Sequence, residues 1–135
     1  LCHVVSYQTS NAALQSTFAN AARHLENGGV FLFDVWHGPA VLWERPSMRV
    51  KRVEDATTRL TRITESEIDT NAGIVNVRFT VMAESKETQQ LTTFHEDHPI
   101  RYLFPPEIDA LATQNGFTVE RMEEYLSGKV PTPHP

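Results

Sequence analysis

The sequence is poor in cysteine, with Cys2 alone among 135 residues. One thiol closes neither an internal disulfide nor a cysteine metal site, and its apolar neighbourhood suits a small core filler, so disulfide-stapled and redox classes drop out. Cationic charge is also short. The formal net charge is -5, and without a basic excess there is no general attraction to phosphate backbones or anionic lipid, so neither nucleic acid nor membrane is an expected partner. No apolar run approaches the ~20 residues that cross a bilayer, and the N-terminus lacks the charged start, apolar middle and small-residue cleavage site of a signal peptide. A cytoplasmic location is expected. Glycine is sparse at six residues, and its one adjacent pair, Gly28-Gly29, follows a helical stretch. A glycine-rich turn from strand into helix, the kind that lets a nucleotide approach the backbone, is therefore missing. Ser6, Ser10 and Ser16 lack a nucleophile elbow, which leaves hydrolase chemistry without support.

What is present suffices for one compact domain with a real core, since 40% of residues are hydrophobic. The chain opens at Leu1 inside an apolar run with no initiator methionine, as expected of a fragment cut within a strand. Ser10 caps a helix in which Leu14, Phe18, Ala21, Ala22 and Leu25 repeat at helical spacing, and Asn27-Gly28-Gly29 ends it. Residues 30–36, Val-Phe-Leu-Phe-Asp-Val-Trp, form the nearly unbroken apolar run of a parallel strand covered on both faces. Pro39 and Pro46 then bracket a linker, and two-residue alternation takes over. It predicts about four antiparallel strands, at 48–53, 58–68, 74–83 and 90–104, with a bulge where Leu60 and Ile63 break the alternation. Pro105-Pro106-Glu107 starts a second main helix, buried through Ile108, Leu111 and Ala112 and stopped by Asn115-Gly116. A last strand is expected over 117–125, and an extended or disordered tail over 129–135, where proline recurs at alternate positions.

The run Leu1-Cys2-His3-Val4-Val5-Ser6-Tyr7, the helix end His24-Leu25-Glu26-Asn27-Gly28-Gly29 and the strand Val30-Phe31-Leu32-Phe33-Asp34 resemble the later motifs of class I S-adenosylmethionine-dependent methyltransferases. The run Arg101-Tyr102-Leu103-Phe104-Pro105-Pro106-Glu107, with Leu111 and Asn115-Gly116-Phe117, continues the resemblance in the same order. It is nearest to small-molecule methyltransferases with an antiparallel insertion after the fifth strand, here residues 48–104. The resemblance implies an α/β to α+β fold: a partial Rossmann-like sheet, two main helices and the insertion, all in one C-terminal domain over 1–128. It also implies S-adenosylmethionine as cofactor. The Gly-x-Gly-x-Gly loop and the acidic residue that holds the ribose are lacking, so the isolated chain is expected to bind no cofactor and to be inactive. The final strand that inserts between the two preceding C-terminal strands also lacks a counterpart after Lys129.

In that family the segment matching residues 1–7 lies beside cofactor and acceptor. The resemblance thus makes His3 and Tyr7 the catalytic candidates, and Leu1 with His3 a partial cofactor contact. Imidazole keeps a neutral fraction near physiological pH and can orient or deprotonate a hydroxyl or amine; a capped strand end with Tyr7 packed at its ring accounts for the same residues. Asp34, Trp36 and His37 follow the predicted buried strand where a ligand mouth would lie, and with Arg101 and Tyr102 they are the acceptor-binding candidates. Asp34 is equally suited to capping the loop, and Trp36 to covering the core. His95-Glu96-Asp97-His98 invites a metal, but histidines three apart on a strand face opposite sides, so no metal is expected. Arg49, Lys51, Arg52, Arg59 and Arg62 form the one basic concentration. They are read as a charged strand face opposite Glu54, Asp55, Glu65 and Glu67, with an anionic ligand as the alternative. Two functions follow: a methyltransferase piece whose parent methylates a small molecule and needs an N-terminal half, or a non-catalytic homodimeric binding or assembly module whose unpaired strand edges join a second copy.

Overall fold

The computed structural model describes residues 3–133; Leu1, expected at the cofactor, and Cys2 lie outside them. A short 3-10 turn, Val5–Tyr7, leads to helix α1, Asn11–His24. The Ser10 hydroxyl accepts from the Ala13 N–H at 3.1 Å, satisfying one of the free donors of the first turn. The helix stops at His24, with Leu25 already extended, and Gly28, at φ +83°, sits in the next turn rather than ending the helix as expected. Strand β1, Trp36–His37, and helix α2, Gly38–Trp43, precede four long strands: β2, Arg49–Glu54; β3, Thr58–Asp69; β4, Ile74–Ser85; and β5, Leu91–Leu103. Helix α3, Pro105–Gln114, closes the order of regular elements. The sheet runs β1-β5-β4-β3-β2.

Strand β5 joins the two halves of the architecture. Its body is antiparallel to β4, while Tyr102 and Leu103 at its end pair in parallel with Trp36 and His37. Neighbouring residues on a strand point to opposite faces, so these two feed separate cores. Tyr102 joins Val41, Val75, Val77 and Ile100, and Leu103 joins Val5, Leu14 and Ile108. Helices α1 and α3 cover the second cluster and are tied to each other by the Gln15 and Asn115 amides, 3.1 Å apart.

Five further sequence expectations change. The opening run, expected as a strand end, is a turn and 3-10 helix over the described residues 3–7. Residues 30–35 are extended but not laddered, and only Trp36–His37 pairs. Phe33 and Val35 pack on the helical core, while Val30 and Leu32 stand 75% and 90% exposed. The apolar run is that of a strand covered on both faces, and within the described residues it is covered on one. Residues 117–125 likewise form no strand. The stretch after Pro39 is helix α2 rather than linker, because proline at the first helical turn costs no hydrogen bond. Finally, β3 carries no bulge: its register with β4 is unbroken from Thr58↔Ser85 to Asp69↔Ile74. Leu60 and Ile63 simply occupy opposite faces, opposite Ala83 and Thr80. Among the described residues no helix is long and apolar enough to cross a membrane.

Candidate functional site

The backbone at residues 3–7 is held in an unusual shape. His3 has φ +58°, a left-handed conformation that costs a non-glycine residue about 1–3 kcal/mol and persists only where neighbours enforce it. Asp34 enforces it. Its two carboxylate oxygens accept from the His3 N–H at 2.9 and 3.0 Å, and the His3 Nδ1 lies 3.3 Å from Oδ2. A neutral ring satisfies that contact with its proton on Nδ1, which leaves Nε2 a free base. The ring meets Trp36 edge-on, with centroids 6.2 Å apart. Three residues beyond the turn's start, fully buried Ser6 accepts the Trp36 N–H at 3.0 Å, fastening the turn to β1.

Tyr7 leaves the other end of the turn and reaches the insertion. Its hydroxyl lies 2.9 Å from Nδ1 of His98, whose Nε2 lies 3.3 Å from a Glu96 oxygen. Glu96 and His98 are two apart on β5 and opposite Phe79 and Val77, so they share a face. The Phe79 ring backs His98 edge-on at 5.2 Å, and the Arg62 guanidinium lies 5.0 Å over Phe79.

Of the residues expected from sequence, the fold thus gathers His3, Tyr7, Asp34 and Trp36 around one turn. His37 follows Trp36 at the entry to α2, where burial pushes its imidazole below its ordinary pKa and the Glu124 carboxylate partly opposes this. Arg101 and Tyr102 lie elsewhere. Tyr102 is a core residue, and the Arg101 guanidinium donates to the Thr9 carbonyl at 3.2 Å and to Glu107 at 3.4 Å, while its buried Nε has no hydrogen-bond partner among the described residues. Both line a hollow of about 260 Å³ with Leu42, Gly73 and Glu107. His95 and His98 face opposite sides of β5, and among the described residues no three His, Cys, Asp or Glu side chains converge as a metal site would require. The basic residues divide as well. Arg59 pairs with Glu54 and Glu84, whereas Arg62 lies on the opposite face, over Phe79. Ser6, Glu96 and His98 were not read as site residues. The signal for the last two was an Glu-x-His spacing on one strand face.

Asp34, inside the apolar run, is engaged by the His3 N–H. Gly28 and Gly29 follow a helix, and the Glu26 carbonyl accepts the Gly29 N–H at 2.8 Å. Gly38 does join a strand to a helix, but a Cβ there would stand 2.9 Å from the Phe104 ring, so the close approach serves packing and leaves no cradle.

No family model matches the chain. It is 30% identical over 126 residues to the dTDP-3-amino-3,4,6-trideoxy-alpha-D-glucopyranose N,N-dimethyltransferase of Streptomyces venezuelae, a match covering 93% of this chain and 51% of that protein. The chain therefore spans about half the length of the curated relative it matches. Among solved structures, DesVI of Streptomyces venezuelae superposes with a TM-score of 0.73 at 21% identity, over 98% of this chain and 56% of that one. The sugar N-methyltransferase KedS8 from Streptoalloteichus gives 0.72 at 21% identity, over 86% and 45%. An S-adenosylmethionine-dependent methyltransferase from Clostridium acetobutylicum gives 0.74 at 17% identity, over 96% and 50%.

Proposed function

We propose that this chain, which corresponds to the C-terminal half of the class I S-adenosylmethionine-dependent methyltransferase fold, supplies the acceptor side of methyl transfer to a small molecule. The cofactor is gripped only when a glycine-rich half is also present. The observation that carries this is the turn at residues 3–7, where a strained His3, edge-on to Trp36, is held by Asp34 and the exposed Tyr7 by His98 of the insertion. A base within reach of an amine or hydroxyl keeps its lone pair available for methylation. The sugar N-methyltransferases among the similar proteins support an amino sugar as the first acceptor class to try. A cytoplasmic location belongs to the same proposal.

The test is methyl transfer from labelled S-adenosylmethionine to a dTDP-amino sugar, by the chain alone and by the chain combined with the N-terminal half of the Streptomyces venezuelae dimethyltransferase. Transfer is expected only from the combination. Turnover by the chain alone, or a combination that binds cofactor and methylates no amino sugar, counts against the proposal.

A second reading, a homodimeric assembly module, is favoured by one observation. Val30 and Leu32 stand exposed on an extended segment outside the sheet, and such a segment is suited to cover by another chain. Sedimentation showing only monomer at high concentration removes it.

A further inference from the structure

The contact between Tyr7 and the insertion has a direction that follows from its far end. A carboxylate only accepts hydrogen bonds, so the Nε2 facing Glu96 at 3.3 Å must carry a proton. In a neutral imidazole that leaves Nδ1 as the acceptor, and Nδ1 is the atom 2.9 Å from the Tyr7 oxygen. The phenol hydrogen is therefore spent inward and the remaining lone pairs of the Tyr7 oxygen face outward, where the residue is exposed. Without Glu96 neither tautomer is imposed, and the one protonated at Nδ1 could donate to Tyr7 and turn the phenol hydrogen toward the ligand. The chain of contacts decides which chemistry Tyr7 presents. Phe79 holds the imidazole from one side at 5.2 Å, which limits its freedom to leave the line between Tyr7 and Glu96.

We propose that His98 and Glu96 are positioning residues that make Tyr7 a hydrogen-bond and proton acceptor for a donor-bearing ligand, such as an ammonium group. The inference rests on the acceptor-side function proposed above. The step involves protons alone. The ligand N–H bond breaks as a new O–H bond forms on Tyr7, and the original phenol proton passes to Nδ1 of His98. The imidazolium so formed is stabilised through its Nε2–H by Glu96 and returns to neutrality by releasing one proton to water. The ligand nitrogen is left with its lone pair. The insertion thereby contributes to the reacting group itself as well as covering it.

The first measurement is nitrogen NMR of the whole chain with labelled histidine, the His98 ring being assigned through H98Q. The expected spectrum shows His98 protonated at Nε2 and bare at Nδ1, with Y7F shifting the Nδ1 resonance and leaving His95 unchanged. A proton on Nδ1 in the neutral ring, or an Nδ1 that ignores Y7F, overturns the proposal. The second uses the combined protein described above. Y7F and H98Q should lower kcat by roughly a hundredfold, the lower end for general acid-base roles, with the KM for the amino sugar within about threefold of wild type. E96Q should fall between. Wild-type kcat in H98Q overturns the relay while leaving the functional proposal standing. Absence of transfer by the unsubstituted combined protein sinks that functional proposal, and with it the ligand role of Tyr7, while the tautomer still decides the hydrogen-bond direction.

Discussion

Replacing Phe18 by alanine should loosen the two extended segments that flank the helical core. Phe18 is 1% exposed, and its ring meets those of Phe31, Phe33 and Phe117 edge-on at 5.4, 5.3 and 6.4 Å. Phe31 and Phe33 belong to the unladdered run, and Phe117 begins the second extended stretch. No sheet ladder holds either segment among the described residues, so the aromatic cluster carries much of their attachment, beside the Asp34–His3 contact, the Phe117 N–H on the Ala112 carbonyl and the packing of Val35, Val119 and Met122. Truncating a buried phenylalanine costs about 3–5 kcal/mol. The upper part of that range applies because three edge-on pairs, each worth roughly 0.5–1.5 kcal/mol, go at once. Against a total stability of roughly 5–15 kcal/mol the loss is large. With a urea dependence of about 2 kcal/mol per molar, the unfolding midpoint should fall by roughly 2 M. Urea titration followed by tryptophan fluorescence reads the midpoint, and limited chymotrypsin digestion reads cleavage after Phe31 and Leu32, which should accelerate. A midpoint lowered by less than about 0.5 M, with unchanged cleavage, would refute the idea that the rings hold these segments.

Gly38→Ala should destabilise by about 1–3 kcal/mol, because the new methyl would stand 2.9 Å from the Phe104 ring; a neutral effect in thermal unfolding would show that α2 shifts freely. His37 is held below its ordinary pKa by burial, against the pull of Glu124, so the fold prefers the neutral ring. Stability contributed there is flat above about pH 6.5 and is lost as pH falls through the depressed folded value, since the unfolded chain then binds more protons. His37→Gln should flatten that slope in denaturant titrations at stepped pH, and an unchanged slope would contradict the assignment. Asp55 is held below the usual carboxylate range first by the Thr57 and Thr58 backbone N–H groups. Its support for the β2–β3 turn is present above about pH 4 and is lost as pH falls through the lower folded value. Asp55→Asn should remove that acid-side dependence from amide exchange at Thr57 and Thr58, and persistence of the dependence would count against it.

Legibility from sequence varied with how local the determining physics is. The alternation Val75-Asn76-Val77-Arg78 identified β4 because one face of that strand is wet, and the register bears this out with Val75 and Val77 buried and Asn76 and Arg78 exposed. Ser10 marked the start of α1 through a hydrogen bond that acts within a few residues, whereas the helix stops at His24, before Gly28, which occupies a separate turn closed by the Gly29 N–H on the Glu26 carbonyl. Residues 30–35 misled because an apolar run records the burial a segment is fit for, and neighbours that would provide it are not encoded in the run itself. Pro39 was read as a break, although a proline in the first turn of α2 is compatible with helix. In the site, His3, Asp34 and Trp36 were named, but their joining depends on the left-handed turn at His3, which no local pattern announces. Arg101 was named for its charge, and its engagement with Thr9 and Glu107 emerges only when β5 delivers it to the start of α3. His98 was weighed as half of a metal pair with His95. The strand register sends the two apart and instead brings His98 to Tyr7, which is 91 positions away.

Calorimetric titration of S-adenosylmethionine into this chain by itself is the most direct test of the need for a second half. No saturable heat is expected up to about 1 mM, where even a binding free energy near -4 kcal/mol would register. Saturable binding near micromolar concentration, one ligand per chain, would contradict that need.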